Sequence, residues 1–137
     1  MPPSKKSAKS PESAADKKQI GLSSAGDLAL KGLLAQGLFE SETDAYKVSI
    51  AFALAKGIEP GPTPEGGYQT KFNAAGGLDV YGEIKDVICL LRPQDADRPY
   101  ATAERLADLG VKEIAARIES HQSLAEILAD CIQRDDE

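Results

Sequence analysis

The chain has no tryptophan, one histidine, one methionine and two cysteines among its 137 residues, and each shortage closes off a kind of chemistry. The single histidine, His121, falls in a short polar segment between two expected helices. No nucleophile or orienting acid stands at a defined spacing from it, so the sequence spells out no nucleophile–base set. Glu104 and Asp108 sit at helical spacing, but nothing around them separates their acidities as acid–base work requires. Cys89 and Cys131 each fall on the apolar face of an expected helix and read as small hydrophobic thiols rather than a disulfide. Those thiols and His121 lack the close ligand spacing of a structural zinc site. No metal, cofactor or catalytic residue is expected, and the chain reads as a non-enzyme.

Long apolar runs are missing as well. No segment approaches the length that spans a bilayer, and the N-terminal lysines are not followed directly by the apolar stretch of a secretory signal. The expectation is a cytoplasmic protein without membrane contact. The glycines carry no nucleotide signature either. Gly57 to Gly67 lacks the terminal lysine and hydroxyl residue of a phosphate-binding P-loop. Asp79, at the expected start of a helix after Gly76 and Gly77, would repel an anion.

Charge is abundant but uneven. Residues 1–18 hold Lys5, Lys6, Lys9, Lys17 and Lys18 against Glu12 and Asp16, a balance of +3. Because the whole chain carries −6, the remainder stands at −9, and a body so acidic repels a polyanion over most of its surface. Residues 1–18 contain no large apolar residue after Met1, so they are read as a disordered basic tail, with residues 19–137 as a single helical domain. Nucleic acid is expected to bind only through the five tail lysines.

The most informative stretch runs from Phe39 to Gly57. Ser41 is a cap, Glu42 and Asp44 suit the positive end of the helix dipole, and Gly57 and Pro60 end the segment. Between them Ala45, Val48, Ile50, Ala51, Phe52, Leu54 and Ala55 cover most of the circumference, leaving Tyr46, Lys47, Ser49 and Lys56 as the polar positions. Such a helix must be surrounded by protein, inside one chain or between several.

Around it the apolar spacing predicts other helices. Leu28, Leu30, Leu33 and Leu34 mark one near Asp27, with Ser24 as cap and Gly37 as stop. Ile84, Val87, Ile88 and Leu91 mark another, capped by Asp79 and stopped by Pro93. Ala103, Leu106, Ala107 and Leu109 suggest a fourth helix closed by Gly110, and Val111, Ile114, Ala115 and Ile118 a fifth. Ser123 and Glu126 have capping-box spacing for the last. No strand pattern stands out. The expected fold is all-α: a compact bundle of about six helices with a long Gly/Pro-rich loop over 58–77. Three of the seven aromatic residues fall between Tyr68 and Tyr81, so Tyr68, Phe72, Leu78 and Tyr81 are the candidate partner-binding residues on the rim of that loop.

Two DNA-binding patterns fail on inspection. Residues 101–118 suggest a helix-turn-helix, but the spacing from Ala107 to Gly110 is one residue short and the second helix has mixed charge. Residues 20–40 lack the alternating basic strand that a ribbon-helix-helix protein would need before the apolar helix. The order Leu38-Phe39-Glu40-Ser41, Thr43-Asp44-Ala45-Tyr46, and Ala55-Lys56-Gly57, with a later Leu109-Gly110 pair, resembles small accessory proteins encoded beside bacterial DNA phosphorothioation and phage-defence genes. The resemblance covers residues 28 to 118 in outline. It implies an accessory or adaptor role in a defence or DNA-modification system and carries over no catalytic residue. The leading expectation is thus a helical adaptor acting through protein contacts or self-association. A small DNA-associated protein using the basic tail is the alternative, and a small enzyme subunit the third.

Overall fold

The computed structural model describes residues 16–133 and is mostly helical. Its elements are β1 (Gln19–Leu22), α1 (Ser24–Ala35), α2 (Glu42–Lys56), β2 (Gln69–Asn73), a π-helical turn (Ala74–Leu78), α3 (Glu83–Leu91), a 3-10 turn (Pro93–Asp95), α4 (Pro99–Glu119) and α5 (Leu124–Gln133). No helix among them is long and apolar enough to cross a membrane.

The apolar segment after Phe39 forms α2 with the expected ends. Ser41 accepts a hydrogen bond from the Asp44 amide at 3.1 Å, and Gly57 takes the left-handed conformation, φ +71°. What the sequence assigns as polar is partly buried. Tyr46 is enclosed, donating its hydroxyl to the Gly21 carbonyl at 2.9 Å, and Ser49 donates back to the Ala45 carbonyl at 2.8 Å. The last helix also opens as expected, with the Ser123 amide on Glu126 and the Glu126 amide on Ser123.

Helix α4 is the wall on which the rest is assembled: α1, α2, α3, α5 and β1 all pack against it. It corrects the expectation of two helices meeting at Gly110, because one helix runs unbroken from Pro99 to Glu119. Gly110 is there for a close approach rather than a stop. A Cβ on it would lie 2.2 Å from the Ser49 carbonyl oxygen, so its absence lets α2 come up against the α4 backbone.

The all-α expectation is also incomplete. Strands β1 and β2 pair antiparallel, Gln19 against Asn73 and Leu22 against Gln69, with an irregularity between Ile20 and Gly21. Ile20, Gly21 and Leu22 are all buried, so the strand lacks the alternation that marks a half-exposed one. The 58–77 segment therefore contains β2 and the start of the π-helical turn rather than irregular chain alone. Tyr46 meets Phe72 of β2 edge-on, ring centroids 4.9 Å apart, joining the small sheet to the helical core.

The residues read as the end of the tail are docked. The Asp16 carboxylate accepts from the amides of Tyr100 at 2.6 Å and Ala101 at 2.9 Å, capping α4 from a distant part of the chain. Lys17 pairs with Glu104, and the Lys18 carbonyl accepts from the Ala74 amide. Lys5, Lys6 and Lys9 lie outside the described residues.

Replacing Gly110 with alanine should lower stability by about 1–3 kcal/mol or more, since overpacking against a backbone carbonyl leaves no side chain free to move aside. Gly32→Ala, in α1 with nothing within 4 Å of the added carbon, should stabilise by about 0.5–1 kcal/mol. Urea denaturation midpoints of the two variants test this contrast.

Candidate functional site

The carboxylates at helical spacing on α4 are the most buried charges among the described residues. Glu104 and Asp108 are each 2% exposed. One oxygen of Glu104 meets the Lys17 ammonium, and the other accepts from the Gly21 amide at 2.8 Å. Asp108 accepts from the Ser23 amide at 2.9 Å and the Ser23 hydroxyl at 2.8 Å through one oxygen, and meets Lys112 at 2.9 Å through the other. Each carboxylate oxygen thus has a partner within the fold. They are arranged as fasteners, one helical turn apart, that hold the β1–α1 segment on α4. His121 is exposed in the turn after α4 with φ +74° and takes no part.

A second polar knot involves Asp79. Its carboxylate accepts from the amides of Ile84 and Lys85, capping α3 from four residues ahead of its first turn, and from the Tyr100 hydroxyl at 2.8 Å. Gly82, with φ +73°, turns the chain between the cap and the helix. Lys71 of β2 joins Asp27 of α1 at 2.8 Å and Glu42 of α2 at 3.2 Å. The hydrogen bond from Lys71 holds the Asp27 carboxyl below its usual range. Burial works to lower the Lys71 ammonium, but bonds to Asp27 and Glu42 outweigh it and raise it.

The four residues expected to bind a partner do not form one patch. Leu78 is in the core. Phe72 is half-buried against Tyr46, and Tyr68 is half-buried with the Lys17 ammonium 5.2 Å from its ring centre. Tyr81 alone stands in solvent, 86% exposed.

Exposed apolar surface gathers elsewhere, around α3. Val80, Tyr81, Val87, Leu90 (79% exposed) and Leu91 are all open to solvent. Ile88 is the fully buried residue of the helix, so half of its apolar stripe has nothing over it. Between α3 and α2 lies a groove of about 150 Å³ whose floor is Ile50, Ala51, Leu54, Ile84 and Val87, with Lys47 on one bank and Glu83 on the other. Neither charge has an ion-pair partner among the described residues. A signal was present in the sequence: Ile84, Val87, Ile88, Leu90 and Leu91 are more apolar residues than one buried face of a nine-residue helix needs.

A second concavity, of about 370 Å³, has mixed walls in which charged heads sit among apolar surface. It is lined by Lys17, Thr63, Tyr68, Arg98, Glu104 and Arg105, together with Gly67 and Ala101. No group of three or more metal-ligating side chains occurs among the described residues. Comparison of the chain with known protein families, with curated proteins and with solved structures finds no match.

Asp108→Ala should cost about 1–3 kcal/mol, because it leaves the buried Ser23 amide and hydroxyl without their acceptor; thermal and urea unfolding measure it. Alkaline pH should also unfold the protein. Burial first, then the nearby carboxylates Glu104 and Asp108, push the Tyr68 phenol up to about 12. Burial and the hydrogen bond to Asp79 do the same for Tyr100, also to about 12. The native state keeps these protons at pH values where the unfolded chain, with phenols near 10, releases them. The stabilisation is complete below about pH 10 and lost as pH rises through 12. Tyr68→Phe should therefore lose less stability than the parent across that interval, read by unfolding curves at each pH.

Proposed function

We propose that this protein is a non-enzymatic adaptor that works through protein contacts, with the α2–α3 face as its docking surface and a second copy of the chain as the occupant. The observation that carries this reading is the apolar surface of Val80, Tyr81, Val87, Leu90 and Leu91 beside an apolar groove, on a chain where charge is plentiful. A contiguous exposed patch of that kind marks an interaction site.

The charges beside the groove favour self-association. A two-fold axis through an isologous interface places the Lys47 of each copy against the Glu83 of the other, so one patch satisfies both unpaired charges twice. Rim pairs of this sort contribute modestly to affinity and more to register. The engagement of every Glu104 and Asp108 oxygen in structural bonds supports a non-enzymatic role. The resemblance carried by Leu38 to Gly57 supports a place for such an adaptor in a bacterial defence or DNA-modification system.

Light scattering on the full chain should find a dimer. A Val87→Glu/Leu90→Glu variant, altered only at exposed positions, should be a folded monomer. Lys47→Glu alone should weaken association, and adding Glu83→Lys should restore it. A monomer at every concentration up to the solubility limit would overturn the proposal.

A further inference from the structure

The arginines of the described region divide into two kinds. Arg92 holds Glu59 and Asp95, and Arg117 holds Glu113 and Asp130. Arg98 and Arg105 hold no carboxylate among the described residues, although the chain has 22 acidic residues to answer 16 basic ones. Both line the 370 Å³ pocket beside Lys17. Arg98 is the residue just ahead of α4, with φ −140° and ψ +62°, and Arg105 lies in the second turn of the helix. The Nε of Arg98 is fully buried and has no hydrogen-bond acceptor among the described residues. A buried donor of this kind is normally met by water or an ion.

We propose that this pocket binds the dianionic phosphate group of a small phosphorylated molecule. Lys17 is already neutralised in part by Glu104, so the three cations and one carboxylate leave a charge of +2 facing the cavity. A phosphate monoester carries about −1.5 to −2 near neutral pH, with three strong acceptor oxygens. Planar guanidinium groups are the side chains best matched to those oxygens. Tyr68 and Thr63 also line the cavity, and Tyr68, bonded to Arg105, keeps its proton far above neutrality. The cavity is at the small end of the range for ligand pockets, with room for the phosphate and a compact organic body. The acidic remainder of the chain opposes long polyanions and so favours a small ligand over a nucleic-acid backbone.

Calorimetric titration of the full chain with inorganic phosphate, against acetate at matched ionic strength, tests the assignment. Saturable phosphate binding is expected, with acetate much weaker. Arg105→Gln and Arg98→Gln should each weaken phosphate binding by about tenfold or more, with circular dichroism confirming the fold. Should Arg98→Gln fail to fold because its Nε is buried, Arg105→Gln decides alone. Absence of phosphate binding at millimolar concentration, equal binding of acetate, or unchanged affinity in a folded Arg105→Gln variant overturns the proposal. A 5′-phosphorylated oligonucleotide that binds far more tightly than inorganic phosphate overturns the small-molecule assignment and gives the pocket to a nucleic-acid end.

Discussion

Two carboxylates one turn apart on α4 hold together the parts of this fold that are far apart in sequence. Glu104 takes the Gly21 amide and Asp108 takes the Ser23 amide. The end of β1 and the cap of α1 are thereby fixed on a helix more than eighty residues away in the chain. Ser23 in turn accepts from the Gly26 amide, so the Asp108 anchor and the α1 cap are one continuous network. Burying two such charges costs several kcal/mol each, and the arrangement is tolerable because amides, a hydroxyl and two lysines answer all four oxygens. Removing either carboxylate would leave donors buried that no other group in the site can meet.

Further constraints on α4 follow from this one. Asp16 caps its first turn from the segment just ahead of β1, and Asp79 ties Tyr100 to the start of α3. Farther along, Gly110 admits the backbone of α2. Because α2 and α3 are both aligned by α4, the space between them is set by that helix, and the apolar groove is the gap that remains. Arg98 stands just ahead of the first turn of α4 and Arg105 within its second. Two surfaces of different chemistry, one apolar and one cationic, are therefore positioned by a single element.

Local signals were legible where the interaction is local. Ser41, Gly57 and the Ser123–Glu126 box each act within a few residues of where they are written, and the sequence places them correctly; Asp79 does meet α3 amides, but the helix expected to start there begins at Glu83. The strands escaped notice because β1 is four residues long and buried on consecutive positions, which leaves no period to count. Gly110 was misread as a stop because a glycine at a helix end and a glycine under a crossing backbone look the same in one dimension. Tyr68, Phe72, Leu78 and Tyr81 are neighbours in sequence, yet a strand and a π-helical turn send them to four different surroundings.

What the sequence by itself determined is where helical segments lie, several of their ends and the need for α2 to be enclosed, since propensity, capping and apolar period act over one or two turns. The tertiary structure alone decided that α2 is largely covered by its own chain, through the α4 wall and the Tyr46–Phe72 contact. It likewise decided that Glu104 and Asp108 are structural, and which apolar residues stay outside. Those outcomes depend on which distant amide, carbonyl or side chain arrives at each position, and only the packed chain supplies that information.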